Sequence, residues 1–145
     1  MEEIMNYWKF TSAAGWFSTL LPDNWSEYDD DEGTYAFFNT DKWSGNLRIT
    51  PNKWENSPDI ASSIIAGELK NNPKAVATKI GKWDAAFFSQ KGSDETLNYF
   101  WTTGTQNYIF ICSFSVNIEF LGTDAHDKEL SVVETILGNI EINQD

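Results

Sequence analysis

The sequence predicts an α+β domain in which a central antiparallel sheet of about six or seven strands lies between two helices, a three-layer α/β/α sandwich. Three observations carry this expectation. Four extended segments, divided by short turns, fill residues 75–116 in the pattern of an antiparallel meander. Two other segments, 57–69 and 123–140, space their apolar residues three and four apart, as one-sided helices do. The strands also alternate apolar residues onto both faces: Trp83 and Phe87 against Phe88, Tyr99 and Trp101 against Phe100, Phe110 and Phe114 against Ile109 and Ile111. A sheet apolar on both sides needs cover on both sides, and two helices supply one roof each.

Taken in order, residues 7–10 read as a short first strand or as part of an N-terminal arm over 1–14. Residues 16–21 form a strand closed by the turn residues Pro22, Asp23 and Asn24. Residues 34–39, with Tyr35, Phe37 and Phe38, are β-branched and aromatic, hence strand. Residues 41–46 look like a hairpin connection, 47–50 alternate as a half-buried strand, and 51–56 form a loop bearing Trp54. Ser57, Pro58 and Asp59 are start signals for the first helix: a cap, a residue suited to the first position, and an acid at the positive dipole end. Ile60, Ala61, Ile64, Ile65 and Leu69 are its buried stripe, and 71–73 stop it. Strands follow over 75–80, 83–90, 96–103 and 106–116. The last helix is capped by Thr123 or Asp124 and buries Leu130, Val133, Leu137 and Ile140.

The chain has 145 residues, a length that predicts one domain over 1–145. Lys and Arg number 10 against 22 Asp and Glu, a net charge of −12, and no run of Lys or Arg forms a patch. That balance argues against nucleic acid and anionic membranes as partners and favours a basic protein. Residues 1–8 have no basic and apolar signal-peptide pattern, and no apolar stretch is long enough to span a membrane. With one cysteine, Cys112, no internal disulfide can form, so a cytoplasmic location is expected.

Little in the sequence points to catalysis. His126 is the single histidine and reads as an exposed residue of the last helix's first turn; Asp124 and Asp127 beside it do not share its face well enough to form a ligand set. Cys112 falls mid-strand among Tyr108, Phe110 and Phe114, a core position. No nucleophile-elbow, phosphate-loop or dinucleotide motif occurs, so no catalytic residue, metal or cofactor is expected. The densest charge feature is Asp29, Asp30, Asp31 and Glu32, which fails calcium-loop spacing. It reads as a solvated turn, as a partner-binding patch or, least of the three, as a weak metal-binding loop. Trp25, Trp43 and Trp54 lie in or beside connections, where tryptophan either closes the core or serves as an interaction anchor. The expected protein-binding surface therefore comprises Trp25, Tyr28, Asp29, Asp30, Asp31, Glu32, Trp43 and Trp54.

The turn Leu21-Pro22-Asp23-Asn24-Trp25, the element order, and the closing Glu134-Thr135-Ile136-Leu137-Gly138-Asn139-Ile140-Glu141-Ile142 resemble the PsbP-like fold superfamily over residues 15–142. The chain is identified as a small bacterial member of unknown function. That superfamily includes an extrinsic photosystem II subunit and an import factor that binds the GTPase Ran. The resemblance implies a binding or accessory module rather than an enzyme, and in its lookalikes the Pro-x-x-Trp turn folds Trp25 back on the sheet. An acidic inhibitor or immunity-type protein is the leading expectation. The alternative is a small-ligand binder with an aromatic-lined pocket between sheet and helix or at one sheet end.

Overall fold

A computed structural model describes residues 6–13, 15, 17–28, 33–41, 45–56, 58–92 and 95–143. Ten strands are assigned among them: β1 (Tyr7–Thr11), β2 (Phe17–Pro22), β3 (Trp25–Tyr28), β4 (Tyr35–Asn39), β5 (Gly45–Lys53), β6 (Val76–Ile80), β7 (Trp83–Lys91), β8 (Thr96–Thr105), β9 (Tyr108–Asn117) and β10 (Glu141–Ile142). Helix α1 (Ile60–Asn71) interrupts them, and α2 (Asp124–Gly138) follows a single 3₁₀ turn at Ile118–Phe120. Seven strands make one antiparallel sheet in the order β3-β4-β5-β9-β8-β7-β6, and β1-β2-β10 make a second, also antiparallel.

The α+β class and the antiparallel central sheet agree with the sequence reading. The layering is richer than a helix on either side. A second sheet, unforeseen as such, contributes Phe10, Phe17 and Leu21 to the main core. They meet Phe37, Leu47, Ile49, Trp101, Phe110, Cys112 and Phe114 of the large sheet and Val133, Ile136 and Leu137 of α2. Aromatic rings form the seam: Phe17 meets Phe110 edge-on at 5.3 Å, and Trp83 stacks on Phe110 at 5.5 Å. Thr19 Oγ1 donates to the Ile136 carbonyl at 2.6 Å and ties the small sheet to α2.

Two segments read as connections prove to be strand. Strand β5 takes in Gly45 and continues to Lys53, because β9 offers it partners all the way from Val116 to Tyr108. Pro51 is accommodated there because the pairing with β4 ends at Ile49, leaving β5 only one neighbour beyond that point. The tail past α2 pairs with β2 through Glu141 and Ile142.

The helix starts also depart in detail from expectation. Helix α1 begins at Ile60 with Asp59 at the cap position and no side-chain cap bond; Ser57 lies outside the described residues. On α2 the cap is Thr123, whose Oγ1 accepts from the His126 amide at 3.2 Å, with Asp124 and Asp127 in the first turn favouring the dipole.

Candidate functional site

Directly opposed residues on neighbouring strands share a face. One such row crosses six strands of the large sheet: Tyr28, Ala36, Arg48, Ser113, Phe100 and Phe88. The next row runs Thr50, Ile111, Thr102, Ala86 and Ala77. By alternation both rows lie on the face opposite Cys112, Trp101 and Phe114, turned away from the main core. Helix α1 roofs one end of this second face. The Ala61 amide donates to the Gln106 carbonyl at 3.0 Å, which pins the start of α1 to the β8–β9 turn. Ile65, Ala66 and Leu69 then run alongside Ala77 and Gly104.

The rest of the face is accessible. Ile111, in the longest central strand, is 46% exposed. Two aromatic pairs flank it: Tyr28 with Phe38 at 5.6 Å, and Phe88 stacked on Phe100 at 4.8 Å. Between the pairs lies Arg48, the single arginine of the chain, half-buried on β5. A water-facing sheet face ordinarily alternates to polar residues. This one mixes hydroxyls (Thr34 with Thr50 at 2.9 Å, Ser113, Thr102) with large apolar groups, the composition of a contact surface.

The expected surface residues are distributed unevenly. Trp25 is 3% exposed and belongs to the core, and its carbonyl accepts from the Trp8 indole N–H at 3.1 Å. It therefore closes the sheet and is no contact residue; its ring and the sheet-end apolar groups are taken out of water together. Tyr28 is half-buried on the second face, and Trp54, just past β5, is 46% exposed. Asp29, Asp30, Asp31, Glu32 and Trp43 lie outside the described residues.

The two chemically reactive side chains are both buried. Cys112 is fully enclosed, and desolvation pushes its thiol pKa well up, so it stays a protonated thiol. His126 is 3% exposed, where an exposed position was expected. Its Nε2 shares a 2.8 Å hydrogen bond with the Tyr99 hydroxyl, the two rings stack at 5.8 Å, and its Nδ1 is buried without a partner among the described residues. Burial, and secondarily the Asp127 carboxylate, hold the Tyr99 phenol above its ordinary pKa, so it keeps its proton. Thr123 caps α2 in the orientation that turns His126 onto the sheet, a contact no local spacing announces. No group of three potential metal-ligating residues occurs among the described residues.

Comparison with known proteins places these features in a lineage. The family described as Domain of unknown function (DUF3805) matches residues 5–145. A crystal structure from Bacteroides thetaiotaomicron is 34% identical, with a TM-score of 0.76 over 94% of this chain and 48% of its own. This chain thus spans about half the length of that relative. The cyanobacterial PsbP protein CyanoP of Synechocystis has a TM-score of 0.59 at 11% identity, covering 97% of this chain and 95% of its own. LpqN of Mycobacterium tuberculosis, described as involved in cell envelope biogenesis, has a TM-score of 0.50 at 11% identity over 98% and 93%. At such identities these last two likenesses concern the fold alone. No curated protein matches the sequence.

Proposed function

The chain belongs to the DUF3805 family and has the PsbP-like fold, and on that footing we propose that it works as a non-enzymatic binding module for a basic protein. The contact surface in this reading is the accessible part of the second sheet face, with Tyr28, Phe88, Phe100, Ile111 and Trp54. The acidic run at 29–32 follows Tyr28 directly in sequence and steers a cationic partner toward it. The observation that carries the reading is Ile111, a large apolar residue in the middle of a central strand that the fold leaves 46% exposed. The layering belongs to the same inference: the three-layer arrangement is completed by α1 only over β7, β8 and β9, and the partner covers the rest. A role as an inhibitor of a basic target, in the cytoplasm, fits the net charge of −12 and a single, reduced cysteine.

A small-ligand reading draws on the groove between α1 and β6–β8. Trp83 is the one aromatic among its lining residues, so it departs from the aromatic-lined pocket that reading expects. The test is recovery of a partner from source-cell extract by wild type, Ile111→Glu, and a variant with Asp29, Asp30 and Asp31 changed to Asn and Glu32 to Gln. Circular dichroism verifies folding in each. The expected result is one protein lost with either variant and retained less well as salt rises from 0.05 to about 0.5 M. Equal recovery by all three removes the second face and the acidic run from consideration.

A further inference from the structure

The seven-stranded sheet ends in two edge strands, and they are treated differently. An exposed edge is a row of unpaired backbone donors and acceptors, a template for another strand unless something blunts it. Strand β3 is four residues long, and the Trp8 indole occupies its Trp25 carbonyl. At its start Thr40 ties down the Asn24 carbonyl through both its amide and its hydroxyl. Strand β6 pairs with β7 on one side only. Val76, Ala77, Thr78 and Lys79 are exposed in succession, Val76 at 56%, and no side chain among the described residues bonds their backbone.

Charge singles out the same place. Residues 68–84 contain Lys70, Lys74, Lys79 and Lys82 against Glu68 and Asp84 at the two ends, a local net charge of +2 in a chain of −12. Lys70 lies at the end of α1, Lys74 and Lys79 before and within β6, and Lys82 in its turn. Lys79 pairs with Asp84 at 3.1 Å, Glu68 near the end of α1 accepts from the Asn72 side chain at 2.9 Å, and Glu134 of α2 lines the hollow on the other side.

A hollow adjoins each side of this edge. A groove of about 460 Å³ next to α1 is lined by apolar Ile65, Leu69 and Ala77 and by polar Thr78, Lys82 and Asp84. A second hollow, of about 500 Å³, lies against α2 and is lined by Lys79, Ser131, Glu134, Thr135 and Asn139. Successive side chains of an added strand point to opposite faces, so alternate residues would enter the groove beside α1, with its apolar floor of Ile65, Leu69 and Ala77, and the polar hollow beside α2. We propose that the β6 edge is a strand-addition site for an acidic extended segment of a partner protein. Backbone pairing supplies the affinity, and alternating apolar side chains and carboxylates supply the selectivity. The site is separate from the second-face surface and stands or falls independently of it.

The probe is an eight-residue peptide alternating valine with glutamate, compared with the same peptide carrying lysine for glutamate, on the full chain at 50 mM salt. Binding is followed by amide shifts and hydrogen exchange. The glutamate peptide is expected to slow exchange at residues 76–79 selectively. Its affinity is expected to fall about tenfold or more in a folded Lys70→Glu, Lys74→Glu, Lys82→Glu variant, and to stay unchanged in Ile111→Glu. Absence of binding, equal binding of the lysine peptide, or shifts centred on Ile111 and Phe100 would each overturn the proposal. Sedimentation showing a dimer whose protected amides are those of β6 would overturn it too, by assigning the edge to a second copy of this chain.

Discussion

The approach of Gly81 to Gly138 fixes how the β6–β7 turn docks on the end of α2, and it yields a sharp prediction. Gly81 sits at φ +60°, and a Cβ built on it would lie 2.5 Å from the Gly138 carbonyl oxygen. The obstacle is backbone, at a helix end held by Asn139 bonds to the Thr135 and Ile136 carbonyls, so it cannot turn aside as a side chain would. Gly81→Ala therefore bears the left-handed penalty of about 1–2 kcal/mol. Displacement of α2 from Ile80 and Trp83 adds to it, for a total of about 2–4 kcal/mol. Gly67, within α1, is the internal control: it has ordinary helical φ, and nothing lies within 4 Å of its added Cβ. There alanine is expected to stabilise by about 0.5–1 kcal/mol by removing glycine's unfolded-state freedom. Equilibrium urea unfolding reads both, with Gly81→Ala lowering the midpoint by about 1–2 M and Gly67→Ala raising it by about 0.3–0.5 M. A Gly81→Ala midpoint within error of wild type, or a destabilising Gly67→Ala, would refute the close approach as the reason for glycine at 81.

Two further perturbations test the core. Stability is expected to be flat at neutral pH and to fall as pH rises above 9, because the unfolded chain releases the Cys112 proton at its ordinary value while burial makes the fold retain it. The slope from this group approaches about 1.4 kcal/mol per pH unit, and the difference between wild-type and Cys112→Ala urea curves from pH 7 to 10.5 isolates it; parallel curves would place the thiol in contact with water. Phe110→Ala removes the ring that meets Phe17 of the small sheet and stacks on Trp83 within the large one, and is expected to cost about 3–5 kcal/mol by thermal or urea unfolding, with a change in the near-ultraviolet signal to which Trp83 contributes.

The functional surfaces were only partly legible in the sequence. Trp25 and Trp54 carry the same residue type beside the same kind of connection, yet one closes the core and the other is exposed. The difference is long-range: Trp25 is in a strand covered by the small sheet, whereas Trp54 follows the end of β5, beyond its last pairing at Lys53. His126 is a similar case, since its burial depends on Tyr99, 27 positions earlier. The row from Tyr28 to Phe88 was present as alternation in each strand, but whether that face is covered depends on how far α1 reaches.

Local chemistry was enough to place the meander, both helices and the core position of Cys112, and to narrow the cap of α2 to Thr123 or Asp124, because alternation, three-and-four spacing and caps act within a few neighbouring residues. The small second sheet, the exposed Ile111 and the place of β6 at the sheet's edge came only from the tertiary structure. Each depends on which distant segments meet, and backbone pairing between remote strands leaves no periodic mark on either of them.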